Sequence, residues 1–193
     1  MKSTDREIRK ALHKGKLSEL KKKFTETKII EELGLCQGEV RIDLVAVNGY
    51  LHGFEIKSES DDLRRLPTQI EYYNKILDTI TIVIGKKHFD KIKKIIPEWW
   101  GIIVAEKKLP NKKLILSQER DCKINTKVDA MLLVQLLWKD EVIDILKENN
   151  LYNGLSNKPR KLLWNKLVNE VSMDSLRFYI RSKLQSRKNW RVL

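Results

Sequence analysis

The chain reads as an α/β fold: a mixed β-sheet core flanked by helices, with an all-helical C-terminal extension. Three observations carry this reading. Segments 40–44 and 52–57 alternate apolar and polar residues with the two-residue period of strands. A β-branched run from Thr79 to Gly85 is dense enough for a central strand buried on both faces, and the helix-length stretch before it implies a crossover connection. After Thr126 the strand signals stop and helical periodicity takes over. The implied division is a core over residues 1–120 and a basic helical extension over 126–193.

Thr4 followed by Glu7 is a capping-box signature, so a first helix is expected from residue 4 to 12, with Ile8, Ala11 and Leu12 as its buried stripe. The lysine-rich segment 14–23 fits either a helical continuation or a loop. Ile29, Ile30 and Leu33 mark a strand that Gly34 to Gly38 breaks. In the next pair of strands Val40, Ile42 and Leu44 share one face, as do His52, Phe54 and Ile56. For these faces to join one core, Ile42 must oppose Ile56 and Leu44 must oppose Phe54. That register sets Asp43 opposite Glu55 and leaves Asn48, Gly49 and Tyr50 as a three-residue connection.

Pro67 suits the first turn of a helix running to about Asp78. Lys86 to Ile96 forms the next helix, stopped by Pro97; His88 could reach the site from the end of the preceding strand, but a lone histidine in a basic helix is expected at the surface. Strands over 99–105 and 113–117 follow, joined by a turn at Leu109 to Asn111. The Trp99-Trp100 pair is either a hydrophobic clamp or, on the sharper reading, a base-stacking platform. One amphipathic helix over 128–148, bending near Lys139, precedes helices over 160–170 and 173–185 with Ser172 and Asp174 at their junction. Trp164 and Trp190 are expected as buried anchors.

Lys and Arg total 39 against 26 acidic residues in 193, a net charge of +13, which favours a polyanionic partner. From Leu155 onward ten Lys or Arg face only Glu170 and Asp174. Lys158, Arg160, Lys161, Arg181, Lys183, Arg187 and Lys188 are therefore the candidates for nucleic-acid contact, with an acidic protein partner as the alternative. Cys36 and Cys122 stand alone, without the spacing of a zinc site or a disulfide framework. No apolar run reaches the ~20 residues of a membrane span and no signal-peptide pattern opens the chain, so a cytoplasmic location is expected.

Asp43, Glu55 and Lys57 fall on the faces opposite the apolar ones. Two facing carboxylates near an apolar layer call for a cation between them, and an oxygen-ligand site with room for water and phosphate suits Mg²⁺ or Mn²⁺. Lys57 points into the same space, where an ammonium can orient or help deprotonate a water. Gln69 and Tyr73 share a helical face, placing Gln69 to hold Lys57 or a phosphate and Tyr73 to support either. The polar run 58–62 is expected as a flexible border to the site.

Asp43 followed by Glu55-Ile56-Lys57 resembles the Asp and Glu-x-Lys of the PD-(D/E)XK nuclease superfamily, and Gln69 with Tyr73 resembles the Gln-x-x-x-Tyr motif of its RecB-type branch. The likeness covers residues 39–85 and is similar to small, mostly uncharacterised bacterial members. Ile42 stands where the proline of the superfamily's name would be, and the pattern does not extend beyond residue 120. The resemblance implies a restriction-endonuclease-like core and a Mg²⁺- or Mn²⁺-dependent deoxyribonuclease. Asp43, Glu55, the Ile56 carbonyl and an upstream glutamate, Glu32 by position, would be its metal ligands. Glu31 and Glu39 are the other glutamates near enough in sequence. Rival readings are a catalytically silent nucleic-acid-binding module of the same fold, or an interaction subunit of a DNA repair or defence complex.

Overall fold

Thr4 caps α1 (Asp5–Lys14): its hydroxyl accepts the Glu7 N–H while the Glu7 carboxylate accepts the Thr4 N–H at 2.9 Å. This holds in a computed structural model that describes residues 2–108, 110 and 113–188. Past Gly15 the lysine-rich segment is helical as α2 (Lys16–Lys23), because Leu17 beds into the same apolar layer as Ile8 and Leu12. Ala11 is only half-buried.

Six strands then form one mixed sheet in sequence order: β1 (Lys28–Leu35), β2 (Val40–Val47), β3 (Leu51–Lys57), β4 (Thr79–Gly85), β5 (Gly101–Lys108) and β6 (Lys113–Arg120). The outer ladders are antiparallel, whereas β3–β4 and β4–β5 are parallel. Each parallel step needs a crossover, supplied by α3 (Leu66–Ile76) and α4 (Phe89–Ile95). All seven residues of β4 are buried, as its β-branched run requires. At Gly53 a Cβ would lie 2.6 Å from both Ile42 Cδ1 and Leu77 Cδ1, so the middle of β3 admits no side chain there.

The two faces of the sheet are covered differently. On one, α1 and α2 pack Ile8, Leu12 and Leu17 against Leu44, Phe54, Ile56 and Val83. On the other lie α3, α4, α5 (Ala130–Val134), α6 (Lys139–Glu148), α7 (Arg160–Glu170) and α8 (Met173–Ser186). Ile80, Ile82 and Ile84 of β4 share a single buried cluster with Leu133, Ile145, Leu167 and Ile180. The C-terminal helices therefore complete the core of the sheet and do not form a core of their own. No helix among the described residues is long and apolar enough to cross a membrane.

The β2–β3 register pairs Leu44 with Phe54 and Val47 with Leu51, leaving Asn48, Gly49 and Tyr50 as the connection, as the apolar pattern requires. The rest of the expected register fails: the ladder ends at Leu44 and Phe54, so it pairs neither Ile42 with Ile56 nor Asp43 with Glu55, and Ile42 shares a face with neither Leu44 nor Ile56. Ile42 packs with Val45 and Val47 against α3, and Leu44 packs against α1. The β1–β2 ladder skips the pair Glu32 and Asp43, and Glu32 has φ 53°, in the left-handed region. That residue turns the strand over, and both strands change face together.

Other differences have equally local causes. The long helix expected over 128–148 is two helices, broken at Gln135–Trp138, where the Glu141 carboxylate receives the Trp138 N–H at 2.7 Å. His88 is buried, not superficial, and its Nε2 lies 3.1 Å from the Ser58 carbonyl. Trp100 is fully buried, which makes it a clamp and removes it from base stacking. Trp164 is buried as expected, while Trp190 and the Leu109 and Asn111 positions of the expected turn lie outside the described residues. Cys36 and Cys122 are free thiols.

Candidate active site

Beyond Leu44 and Phe54 the ladder between β2 and β3 stops, and the Asp43 side chain takes over from it. Its Oδ2 accepts the Ile56 N–H at 2.6 Å, which fixes the carboxylate beside the backbone of the neighbouring strand. Glu55 follows Phe54 with its side chain directed at α3. There Oε1 accepts from Gln69 Nε2 at 2.7 Å and Oε2 lies 2.8 Å from the Tyr73 hydroxyl. Gln69 Nε2 is also 3.1 Å from that hydroxyl, which in turn sits 2.7 Å from the Arg41 carbonyl. Lys57 Nζ reaches Glu55 Oε1 at 2.6 Å. The structure thus brings Asp43, Glu55, Lys57, Gln69 and Tyr73 together at the carboxyl end of β3.

Tyr73 is held from behind. Trp100 stacks on it with ring centroids 6.2 Å apart and donates its indole N–H to Asn74 Oδ1 at 2.8 Å. A fully buried phenol cannot swing away to satisfy Glu55 elsewhere, so the carboxylate is positioned by a packed core and not by a loop. Toward solvent, Lys57 lines a cavity of about 510 Å³ with Asp61, Asp62, Arg64 and Arg65. This border is built, not loose: Ser58 is buried, its N–H donates to Asp61 Oδ2 at 2.7 Å, and His88 holds its carbonyl. A Cβ on Gly85 would meet Glu59 Cγ at 2.3 Å, so the loop crosses directly over the end of β4.

Burial, and next the facing Glu55, push the Asp43 carboxyl up to about 7. The Ile56 N–H and the Arg9 guanidinium oppose that rise without cancelling it. Burial likewise raises Glu55, against Lys57, Tyr73 and Gln69, and burial followed by the Glu55 charge raises the Tyr73 phenol. Arg9 is the residue that pattern reasoning missed. From α1 its guanidinium lies 3.3 Å from Asp43 Oδ1, 2.8 Å from Glu32 Oε1, 3.5 Å from Glu31 and 3.4 Å from Asp5, and it donates to the Asp43 carbonyl at 3.1 Å.

Glu32, the upstream glutamate that the resemblance implied as a metal ligand, faces Arg9 in this structure. The inverted backbone at Glu32 turns its carboxylate to Arg9, so Glu32 and Asp43 meet through a guanidinium and not at a shared ligand point. Among the described residues no three His, Cys, Asp or Glu side chains gather closely enough to hold a metal. The pair Asp43 and Glu55 still suits a hard cation, since each is driven toward its neutral form. Gln69 Oε1 is, in addition, a buried acceptor with no hydrogen-bond partner.

The expected basic surface is only partly a surface. Arg187 is buried, with Nε 2.7 Å from Glu141 Oε1, Nη2 2.5 Å from Glu141 Oε2 and 2.6 Å from the Leu136 carbonyl. It is corrected from a phosphate contact to an internal ion pair, because a buried Glu141 requires a counter-charge. Lys183 lies 3.3 Å from Asp144, and Arg181 lies 4.0 Å from the buried Asp78. Lys158, Arg160, Lys161 and Lys188 are exposed, with Arg160 over the Trp164 ring at 5.7 Å.

Protein cII of Enterobacteria phage P4 is 24% identical over 165 residues, 85% of this chain and 61% of that protein. The chain thus spans about three-fifths of the length of that relative. Among solved structures, a protein of unknown function from Silicibacter pomeroyi is similar with a TM-score of 0.40 and 15% identity, covering 70% of this chain and 87% of that one. A family model described as bacteriophage P4 protein cII matches residues 2–191, and on that near-complete match the chain belongs to the bacteriophage P4 protein cII family.

Proposed function

We propose that the chain is a metal-dependent nuclease with a restriction-endonuclease-like core of PD-(D/E)XK type, hydrolysing phosphodiester bonds in DNA. The observation that carries this reading is the convergence of Asp43, Glu55 and Lys57 on the rigid Gln69–Tyr73 support. Two acids of raised pKa beside an ammonium at the rim of a basic cavity match the needs of phosphodiester chemistry: a cation seat, a proton-handling group and a place for phosphate.

Asp43 and Glu55, with the Ile56 carbonyl, are the groups that would hold Mg²⁺ or Mn²⁺. Bound there, the ion supplies neutralisation of the phosphate and a lowered pKa for the attacking water. Lys57 orients that water and steadies charge developing on the phosphate. Arg65, and Arg64 where Asp62 releases it from their 2.8 Å pair, line the same cavity as Lys57 and hold the flanking backbone. Gln69 and Tyr73 position Glu55 and carry no charge to the transition state.

A catalytically silent nucleic-acid-binding module is the second reading, and Arg9 is the observation that favours it. Its guanidinium already meets Asp43 without a metal, 3.3 Å from Oδ1 and 3.1 Å from the carbonyl.

The deciding experiment incubates the full chain with linear duplex, circular duplex, single-stranded DNA and RNA, in Mg²⁺, Mn²⁺ or chelator. Cleavage of DNA is expected only with metal. Asp43→Ala and Glu55→Ala should abolish it while binding in chelator persists or tightens, since each removes a negative charge near phosphate. No cleavage by wild type, or carboxylate variants that cut as well as wild type, would replace the nuclease with the binding module.

A further inference from the structure

At the opposite end of β3 from Glu55, the end of α2, the β2–β3 turn and α8 enclose a groove of about 760 Å³. Phe178, Arg181, Ser182 and Gln185 line it at i, i+3, i+4 and i+7, a single stripe of α8. The buried stripe of the same helix is Leu176, Ile180 and Leu184, so the groove stripe is a second face. Lys23 and Phe24 form the facing wall.

Aromatic rings are what make this groove unusual. Among the described residues the exposed large aromatics are Phe24 at 43%, Tyr50 at 44% and Phe178 at 62%. Phe24 and Phe178 line the groove, and Tyr50 follows the lining residue Gly49. Exposed rings gathered at one place mark a contact surface, not scatter. Cations accompany them: Lys23 lines the groove, Lys21 and Lys22 precede it in the last turn of α2, and Arg181 lines the groove with its Nη1 4.0 Å from Asp78, an acid that Arg177 also meets at 3.6 Å; the one lining acid is Glu26. Gln185 Nε2 donates to the Glu26 carbonyl at 2.9 Å, which ties α8 to the facing wall.

We propose that this groove binds single-stranded nucleic acid, stacking an unpaired base on Phe178 or Phe24 while Lys23 and Arg181 take the adjoining phosphates. Base–ring stacking beside cations is the general recipe for single strands, and a groove of about 760 Å³ is of the size that holds a small ligand such as one or two nucleotides. Gly49 and Glu55 are six residues apart along β3 and its turn, about 20 Å at the strand rise, so the groove is a contact separate from the carboxylates. The proposal rests on the nucleic-acid reading above and sharpens its substrate class: a single strand, or the unpaired end of a duplex.

The test is fluorescence anisotropy in chelator, with the full chain, a labelled oligothymidine and a duplex of equal length. Phe178→Ala and Phe24→Ala, both at exposed positions, should each weaken oligothymidine binding by roughly 5- to 100-fold, as loss of one stacking ring does, and leave duplex binding unchanged. Arg181→Ala should also lower the salt dependence of oligothymidine binding by about one contact. Unchanged oligothymidine affinity in both phenylalanine variants overturns the proposal. So does displacement of nothing but a polyglutamate probe, which assigns the groove to an acidic protein. Because binding is read without metal, a chain that never cleaves but loses oligothymidine affinity overturns only the nuclease reading. A chain that cleaves but keeps that affinity overturns only this one.

Discussion

Glu55 and Arg187 are both buried charges, and they are buried to opposite ends. Glu55 meets Lys57 at 2.6 Å, and that lysine continues into an open cavity lined by Arg64 and Arg65. Arg187 is closed on every side, by Glu141, the Leu136 carbonyl and the Trp138 ring 4.3 Å from its guanidinium. The first arrangement leaves a charged group poised at solvent; the second spends the charge on holding α6 and the end of α8 together. Net charge alone does not distinguish them. What distinguishes them is whether the partner of the buried ion has a second, accessible neighbour.

The sharpest break of that comparison is at Lys57. If it is a proton-handling group, Lys57→Ala should lower the metal-dependent cleavage rate by something like 10²- to 10⁴-fold, with DNA binding in chelator nearly intact. A loss of stability without that rate change would make Lys57 a structural counter-ion like Glu141. Next in size is Arg187→Ala, which leaves Glu141 buried and unpaired and should cost about 3–5 kcal/mol in denaturant unfolding. The salt dependence of DNA binding should not move. A variant as stable as wild type with a shallower salt slope would return Arg187 to the phosphate-binding set.

How much of this was legible depended on whether a pattern had a period. The pairing of Leu44 with Phe54 was legible because a strand repeats every two residues, although the ladder ends there and Asp43 reaches β3 through its side chain; Gln69 and Tyr73 were paired by the helical repeat. Arg9 was invisible because a charged residue beside the apolar stripe of an amphipathic helix reads as solvated, and its contact joins it to Asp43, 34 residues on in the chain. The misplacement of Ile42 traces to one residue, since an L-residue at positive φ leaves no signal in a sequence and Glu32 inverts both strands. The break before α6 was masked by Leu136 and Leu137, which continue the helical apolar pattern yet pack as a turn. The helical extension looked separable because its composition changes; the shared cluster that joins it to β4 has no sequence period at all.

The carboxylates can be weighed by pH. Asp43 titrates near 7 in the folded chain against an ordinary value near 3.8, so between those two values the native state holds a proton that the unfolded state has lost. Stability should therefore be highest below about pH 4 with respect to this group, fall as pH rises toward 7, and level off above. The fall is roughly 1.4 kcal/mol for each pH step of one across that window. Glu55 moves the same way and adds to the fall. Asp43→Asn keeps an acceptor for the Ile56 N–H but cannot ionise. Its melting temperature should decline less between pH 5 and 8 than that of wild type. Equal pH slopes would mean that Arg9 compensates Asp43 fully in the folded chain.

The smallest effect belongs to the exposed end of the comparison. Lys158, Arg160 and Lys161 sit at the start of α7, exposed, and of the three only Arg160, over the Trp164 ring at 5.7 Å, meets the buried stripe of Leu163, Trp164 and Leu167. Replacing all three with alanine should change unfolding by no more than ~0.5 kcal/mol, the usual range for surface sites. Binding should respond differently from stability. If each cation meets a phosphate, the slope of log affinity against log salt should fall by about one unit per residue, so the variant loses most at low salt and little at high salt. A slope that stays at the wild-type value would show that α7 does not face nucleic acid. The excess charge of the C-terminal helices would then divide between internal pairs such as Arg187 with Glu141 and a surface matched to an acidic protein.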